Sequence, residues 1–446
     1  MKILFHTLGC KSNQYETEVM FRSALKAGHS PCAPGDTPDV CVVNSCTVTA
    51  QSDRKTGQSL RRFRRQYPLA LLVLAGCFPQ AFPEEAAALD ADIVLGTGEN
   101  LETALDEFTQ TGKRVFRVTP HKKGEKMAPG LSGSAGGRGV SGRTRATLKI
   151  QDGCDRFCSY CIIPKARGFV RSKPLVDIAR EAEALEQAGY REIVLTGINL
   201  CAYGLGDGDW QVANGKTPTP ASAETSPSER RGLADAVAAA SSPVGIERVR
   251  LGSLEPDCLT DELLDRLVCE KKLCPHFHLS LQSGCDETLK RMNRHYTTTE
   301  YFALCERLRR FFPSVSVTTD IMTGFPGETE EEFLETAAFA KKCGFARVHV
   351  FMYSRREGTA AYDMPEQVKQ TEKRRRAAVL TQIAKQTGEA FLQSRRGLPC
   401  RVIAETNGTG LTENYIRVTL PGSEAKPGDV VDAVLGETAI AVGVEG

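Results

Sequence analysis

Cys154, Cys158 and Cys161 stand within eight residues, in the spacing C-x₃-C-x₂-C. Thiolates bind soft metals, and a loop of closely spaced cysteines is the usual cradle of an iron–sulfur cluster. A closed cluster or a structural zinc takes four protein ligands. Three leave one iron with an open position for a substrate or cofactor. A zinc loop that borrows a distant His or Cys is the plainer alternative. A second trio is spread along the chain: Cys10 in Leu-Gly-Cys, Cys46 in Asn-Ser-Cys and Cys77 in Ala-Gly-Cys-Phe, 36 and 31 residues apart. Each ends a short apolar run, and the separations suit one strand–helix unit each. Cys41 lies inside such a run and reads as core, and Cys10, Cys46 and Cys77 could be the same.

The elements that position these thiols follow from periodicity. Residues 1–118 alternate strands (3–5, 40–43, 70–75, 93–95) with helical stretches, the first running over 13–27 and stopping at Gly28. That alternation predicts a parallel, doubly wound α/β domain. Every strand of a parallel sheet ends on the same edge, where ligands bind, so Cys10, Cys46 and Cys77 should meet there. Gly9 and Gly76 allow the backbone to turn tightly beside them. Residues 119–143, rich in Gly, Ser and Lys, read as a flexible connector. From 144 to 375 six strands (146–151, 192–196, 248–252, 277–282, 314–321, 346–352) alternate with helices. This predicts an open, partial (β/α)6 barrel, with its site at the carboxyl ends of the strands and the Cys154 loop after the first. Residues 376–446 predict the rest of an amphipathic helix and then a small β-barrel. Residues 204–231, with the single tryptophan Trp210, read as a disordered surface insertion without chemistry.

Composition sets the outer limits. At 446 residues the prior is roughly three domains. Charged residues are 25% and the net charge is +2, which excludes a uniformly basic nucleic-acid binder but not local basic patches. The 16 cysteines, without a signal-peptide pattern, read as thiols and cluster ligands of a cytoplasmic protein, not as disulfides. No stretch reaches the ~18 apolar residues of a membrane span.

The Cys154–Cys161 loop, with Phe157 and Tyr160 inside it, resembles the radical S-adenosylmethionine (SAM) superfamily. The resemblance implies a 4Fe–4S cluster on Cys154, Cys158 and Cys161 whose free iron chelates SAM. An electron then splits SAM to a 5′-deoxyadenosyl radical. Two tri-cysteine sites in this order are similar to the methylthiotransferase branch, which carries a second 4Fe–4S cluster, here on Cys10, Cys46 and Cys77. The phrases Phe5-His-Thr-Leu-Gly-Cys-Lys-Ser-Asn-Gln-Tyr-Glu-Thr-Glu18 and Val42-Val-Asn-Ser-Cys-Thr-Val-Thr49 resemble the subgroup acting on N6-threonylcarbamoyladenosine at position 37 of tRNA. The alternatives are methylthiotransferases for isopentenyladenosine-37 tRNA or for a ribosomal-protein aspartate. A non-catalytic iron–sulfur RNA-binding protein is the alternative of a different class.

What the resemblance implies for the site can be named by residue. Tyr160 would lie near the adenine of SAM, and Thr196 and Gly197 near its methionine amine. Other strand ends offer Ser253, Glu255, Gln282, Ser283, Gly324, Gly327 and Glu328 as SAM contacts. For the Gly324–Glu328 stretch, a Pro-Gly turn with Thr329 capping an acidic helix start explains the residues equally. Tyr353-Ser-Arg-Arg-Glu-Gly-Thr359, after the sixth strand, also matches the family. Lys165, Arg167 and Arg171, just past the cluster loop, could hold RNA phosphate or a substrate carboxylate, or be ordinary surface charge. Arg61-Arg-Phe-Arg-Arg65 reads as a solvated helix face, with a phosphate patch as the alternative. Tyr415 and Arg417 are RNA candidates in the C-terminal region. The C2–H of adenine is neither acidic nor electrophilic, so acid–base chemistry will not replace it with sulfur, whereas a carbon radical can begin that replacement. The expected partners are the tRNA anticodon loop, with its base splayed out, a reductant such as flavodoxin or ferredoxin, and a sulfur donor.

Overall fold

The computed structural model describes all residues but 34, 128–129, 131–141, 206–209, 212–218, 221–231 and 442–446. Most of the expected connector and insertion therefore lies outside the described residues. Strands β1 (Lys2–Thr7), β2 (Ser30–Pro31), β3 (Val40–Ser45), β4 (Leu71–Gly76), β5 (Ile93–Leu95) and β6 (Val115–Arg117) form one parallel sheet in the order 2-1-3-4-5-6. Its centre, β3 and β4, is almost wholly buried and reads as continuous Val, Leu and Ala, as strands covered by helices on both faces do. The helices Lys11–Lys26, Ala50–Gln66 and Leu101–Thr111 supply that cover. Strand order reverses between β1 and β3, a switch point where open α/β sheets take ligands. Of the Arg61–Arg65 run, Phe63 is buried and Arg64 is paired with Asp90 and Asp92, while Arg61, Arg62 and Arg65 face solvent.

The second unit begins at β7 (Arg145–Lys149). The short pair β8 (Gln151–Asp152) and β9 (Arg171–Ser172) brackets the cysteine loop. Then come β10 (Glu192–Thr196), a small hairpin of β11 (Trp210–Gln211) and β12 (Thr219–Pro220), β13 (Arg248–Leu251), β14 (Ser253–Leu254), β15 (His276–Gln282), β16 (Ser316–Thr323) and β17 (Arg347–Met352). Parallel pairing runs β7-β10-β13 and β14-β15-β16-β17, and only Gly252 separates β13 from β14. The six expected strands are thus present in sequential order as one open arc around a large apolar core. The helices between them are ended by recognisable chemistry: Thr260, Thr297 and Thr329 cap three N-termini with their side chains.

The long helix Gln370–Gln393 belongs to both neighbours. Leu380 and Ala384 join the barrel core, while Phe391 and Leu392 pack on the C-terminal core. The expected domain boundary at 375/376 falls inside this helix. Beyond it, β18 (Pro399–Ala404), β19 (Thr409–Thr412), β20 (Arg417–Thr419), β21 (Val430–Val434) and β22 (Ile440–Ala441) form a five-stranded antiparallel sheet in the order 21-18-19-20-22. It rests on the amino ends of the barrel strands. Arg248 and Arg250 reach from β13 to the carbonyls of Leu411, Thr412 and Glu413, and Glu192 holds both guanidinium groups. Against the opposing effect of its burial, the Arg250 and Arg248 guanidinium groups hold the Glu192 carboxyl down at about 2.

Two expectations are corrected. Cys201 and Cys258 form a disulfide, with Cα atoms 5.8 Å apart across 57 residues of chain. Nothing in their sequence spacing announces it, because adjacent strand ends of the barrel bring them together. The start of the connector is also not free of structure: His121 bonds the Thr97 hydroxyl at 2.7 Å and faces Arg171 at 3.0 Å.

Candidate active site

The first trio converges on one asparagine. Cys10 ends the loop after β1, Cys46 follows β3 and Cys77 follows β4. The Cys10 thiol donates to Asn13 Oδ1 at 3.3 Å, and Asn13 Nδ2 lies 3.9 Å from Cys77 Sγ. Asn13 also donates to the Ser45 carbonyl, so it braces all three loops. Gly9, at φ +109°, lets Cys46 come close: a Cβ there would sit 2.6 Å from Cys46 Cβ. Cys46 and Cys77 are buried and Cys10 is exposed. Burial pushes the Cys77 thiol up to about 12, against the pull of the Arg167 guanidinium, and raises Cys46 as well.

The second trio sits in a loop closed at its base. Gly153 is at φ +73°, and Cys154 N–H donates to the Gly168 carbonyl at 3.0 Å. Any Cβ on Gly153 would overlap the Phe169 carbonyl. Gln151 fastens the same point, donating to the carbonyls of Asp152 and Gly153 and accepting from Asn199 N–H at 2.7 Å. The far side of the loop leans on the residues after β15, where Ser159 N–H and hydroxyl bond the Met292 and Arg291 carbonyls. Burial raises the Cys154 thiol to about 12 and the Cys161 thiol further.

A cation acts on a sulfur at each centre. Arg294 Nη1 donates to Cys158 Sγ at 3.3 Å and also pairs with Glu255. Arg167 Nε donates to Cys77 Sγ at 3.2 Å. Arg167 closes the short helix that follows Cys161, so it spans from one centre to the other. The two units meet elsewhere too: Glu16 takes both Arg167 and Lys149, and Arg356 in the loop after β17 reaches Asp53 and the Thr47 hydroxyl beside Cys46. Among the described residues no three His, Cys, Asp or Glu side chains are gathered to hold a single metal ion. The donor sets fit two 4Fe–4S clusters, each with three soft ligands and an N–H on one sulfur.

The other expected residues divide. Tyr160 packs edge-on to Phe325 beside the loop, and burial raises its phenol. Thr196 and Gly197 end β10 against Gln151. Glu255 is next to Cys158 through Arg294, and Ser253 is exposed. Gln282 is at φ +69° with its buried Oε1 unpaired, and buried Asn199, in the loop after β10, has both amide atoms unpaired. Such orphaned polar atoms at strand ends fit a polar ligand. Ser283 instead bonds Thr336 at 3.1 Å. Gly324 N–H donates to Glu328 at 2.6 Å, Glu328 pairs with Arg376, and Gly327 abuts Arg291. That stretch is a turn fastened to the long helix.

The RNA candidates lie as follows. Arg167 is fully buried on Cys77 and Glu16. Arg171 is buried against Asp152 and Glu125. Tyr415 is spent on packing, stacked on His276 at 4.3 Å with Arg250 over its ring. Arg417 is exposed. Sequence reasoning missed Asn13, Gln151, Asn199 and Arg294. Asn13 and Gln151 each stand three residues from a motif cysteine, a weak local signal, whereas Asn199 and Arg294 give none.

Two family models match the chain: the Radical SAM superfamily over residues 148–340, and an uncharacterized protein family designated UPF0004 over residues 2–96. The chain is 35% identical over 441 residues to a threonylcarbamoyladenosine tRNA methylthiotransferase MtaB of Bacillus subtilis, covering 96% of this chain and 92% of that one. It is 35% identical to the protein of that name from Thermotoga maritima, over 90% of this chain and 86% of that one. It is 34% identical to a tRNA-2-methylthio-N(6)-dimethylallyladenosine synthase of Thermotoga petrophila, over 91% and 86%. Among solved structures, the radical SAM methyltransferase TsrM of Kitasatospora setae, with cobalamin and a [4Fe–4S] cluster bound, superposes with a TM-score of 0.56. It covers 81% of this chain and 74% of that one at 15% identity, a likeness of fold.

Proposed function

Because the chain belongs to the tRNA methylthiotransferase family of radical SAM enzymes, we propose that it places a methylthio group on C2 of N6-threonylcarbamoyladenosine at position 37 of tRNA. The observation that carries this reading is the pair of three-thiol centres on facing units, joined by Arg167 on Cys77. As a radical SAM methylthiotransferase the chain uses SAM and 4Fe–4S clusters. Cys154, Cys158 and Cys161 would hold the cluster that binds SAM and delivers one electron to make the carbon radical. Cys10, Cys46 and Cys77 would hold the second cluster, where the incoming sulfur waits. Arg294 and Arg167 tune those sulfurs by hydrogen bonding, as donors around iron–sulfur centres do. Gln282 and Asn199 would offer amide groups to SAM, and Tyr160 would pack on its adenine. The protein's share of the chemistry is to bring cofactor, sulfur and base together in a site that excludes water.

The base must leave the anticodon-loop stack to reach that site. Arg417, exposed on the C-terminal sheet, would contact RNA. The electron donor is a small one-electron carrier such as flavodoxin or ferredoxin, the sulfur comes from a separate donor, and the enzyme works in the cytoplasm. No helix among the described residues is long and apolar enough to cross a membrane. The second reading is the dimethylallyladenosine substrate named for relatives at 34% identity. Anaerobic reaction of the reconstituted protein with SAM, dithionite and each modified tRNA separates them. The reading requires 5′-deoxyadenosine and 2-methylthio-N6-threonylcarbamoyladenosine, and sulfur insertion only into the dimethylallyl substrate would overturn it.

A further inference from the structure

We propose that Lys11 receives the carboxylate of the substrate's N6 substituent and thereby selects the substrate; this rests on the threonylcarbamoyladenosine reading above. Lys11 opens the helix Lys11–Lys26 directly after Cys10, so its place is tied to the sulfur-bearing centre. Its side chain leaves the first unit and enters the barrel side. Burial there, with the Arg145 and Arg250 charges nearby, lowers the Lys11 pKa against the opposing pull of Tyr415 and Glu192, and its charge is also felt at Asp320 and His349. A cavity of about 310 Å³ opens at this place, its lining including Lys11, Gln14, Arg143, Arg145 and Val194, with one carboxylate, that of Glu405. That volume is near the lower end of small-molecule sites.

Lys11 makes no ion pair or side-chain hydrogen bond with any described residue, and the carboxylates around it are already committed. Glu192 bridges Arg248 and Arg250. Glu405 takes Arg145 and Arg417. Asp320 accepts from His278 at 3.1 Å. Arg145, Arg248 and Arg250 are thus paired with carboxylates, and Lys11, among the described residues, is not. A half-enclosed ammonium without a counter-ion is costly, and a ligand carboxylate supplies the missing partner. An apolar dimethylallyl group supplies nothing. In adenine C2 and C6, which bears N6, both adjoin N1, so C2 and the N6 substituent lie on the same edge of the base.

The test is binding of three anticodon stem-loops to the anaerobically reconstituted full-length enzyme at fixed salt. One carries threonylcarbamoyladenosine at position 37, one its methyl ester and one plain adenosine. The wild-type protein binds the acid about tenfold or more tighter than the ester, the worth of one charge-assisted hydrogen bond. Lys11→Gln abolishes that preference while leaving affinity for the adenosine loop and iron content unchanged, and Lys11→Arg keeps it. Lys11→Gln with the wild-type acid-to-ester ratio overturns the inference. So does a wild-type protein that prefers the modified loop to adenosine but treats acid and ester alike, and in that case the substrate reading stands. A wild-type protein that shows no preference for the modified loop overturns the substrate reading and this inference together.

Discussion

Gly153→Ala isolates the geometry that makes the SAM centre possible. Gly153 sits at φ +73°, and an alanine there costs about 1–2 kcal/mol for the left-handed backbone alone. The added Cβ would overlap the Phe169 carbonyl and lie 2.8 Å from the Gly168 oxygen, both backbone atoms with little freedom to move. Pushing the 168–169 turn aside breaks the Cys154 N–H bond to Gly168, worth about 1 kcal/mol. Displaced backbone adds about 1–3 kcal/mol of strain. The total, about 3–6 kcal/mol, falls on the loop that carries Cys154, Cys158 and Cys161. Gly112→Ala is the control: φ is +63°, at a helix end, with nothing within 4 Å of its Cβ. Its cost is the backbone term only, about 1–2 kcal/mol. Iron and sulfide analysis after anaerobic reconstitution reads the outcome. Gly153→Ala falls from about eight irons per chain to about four and no longer cleaves SAM, whereas Gly112→Ala keeps both. Full iron content and normal 5′-deoxyadenosine yield in Gly153→Ala would refute the reasoning.

Other perturbations address the remaining parts. Cys10→Ala, Cys46→Ala and Cys77→Ala each lose the methylthio product but still release 5′-deoxyadenosine, and loss of both in all three would contradict separate centres. Arg294→Met removes the N–H on Cys158 and lowers the reduction potential of that cluster, by about 60 mV for each 1.4 kcal/mol of lost stabilisation. A redox titration followed by electron paramagnetic resonance measures it, and an unchanged potential counts against the role. Glu192→Gln leaves Arg248 and Arg250 without their buried carboxylate and costs about 3–5 kcal/mol at neutral pH. The folded carboxyl, near 2, lies below its ordinary value of 4.5. Its contribution is therefore complete above pH 4.5 and fades as pH falls toward 2. Denaturant melts of wild-type and Glu192→Gln apoprotein should differ by about 2 kcal/mol less at pH 3 than at pH 6, and a constant difference refutes the assignment.

Much of the architecture was legible because it rests on local pattern. The strand–helix alternation gave all six barrel strands, and Cys10, Cys46 and Cys77 could be placed together because parallel strands share an edge. The strands Ser30–Pro31 and Val115–Arg117 escaped notice, being two and three residues long at the sheet edges. What failed was anything set by tertiary contact. Arg167 and Arg171 look like surface charge beside a cysteine loop, but their partners Glu16 and Glu125 arrive from 151 and 46 residues away. Tyr415 looks like a stacking residue for RNA and does stack, on His276 across the seam between barrel and sheet. Cys201 and Cys258 meet only because two barrel strands end side by side. Arg294 lies 136 residues from the Cys158 it touches, with no motif to join them.

The central claim is that two three-thiol centres act together on one tRNA nucleoside. Mass spectrometry of tRNA nucleosides tests it in a strain lacking this protein and any other enzyme for the same modification. 2-Methylthio-N6-threonylcarbamoyladenosine should be absent, should return with the wild-type chain, and should not return with Cys10→Ala or Cys154→Ala. A level unchanged by the deletion, or full restoration by either cysteine variant, would contradict the account.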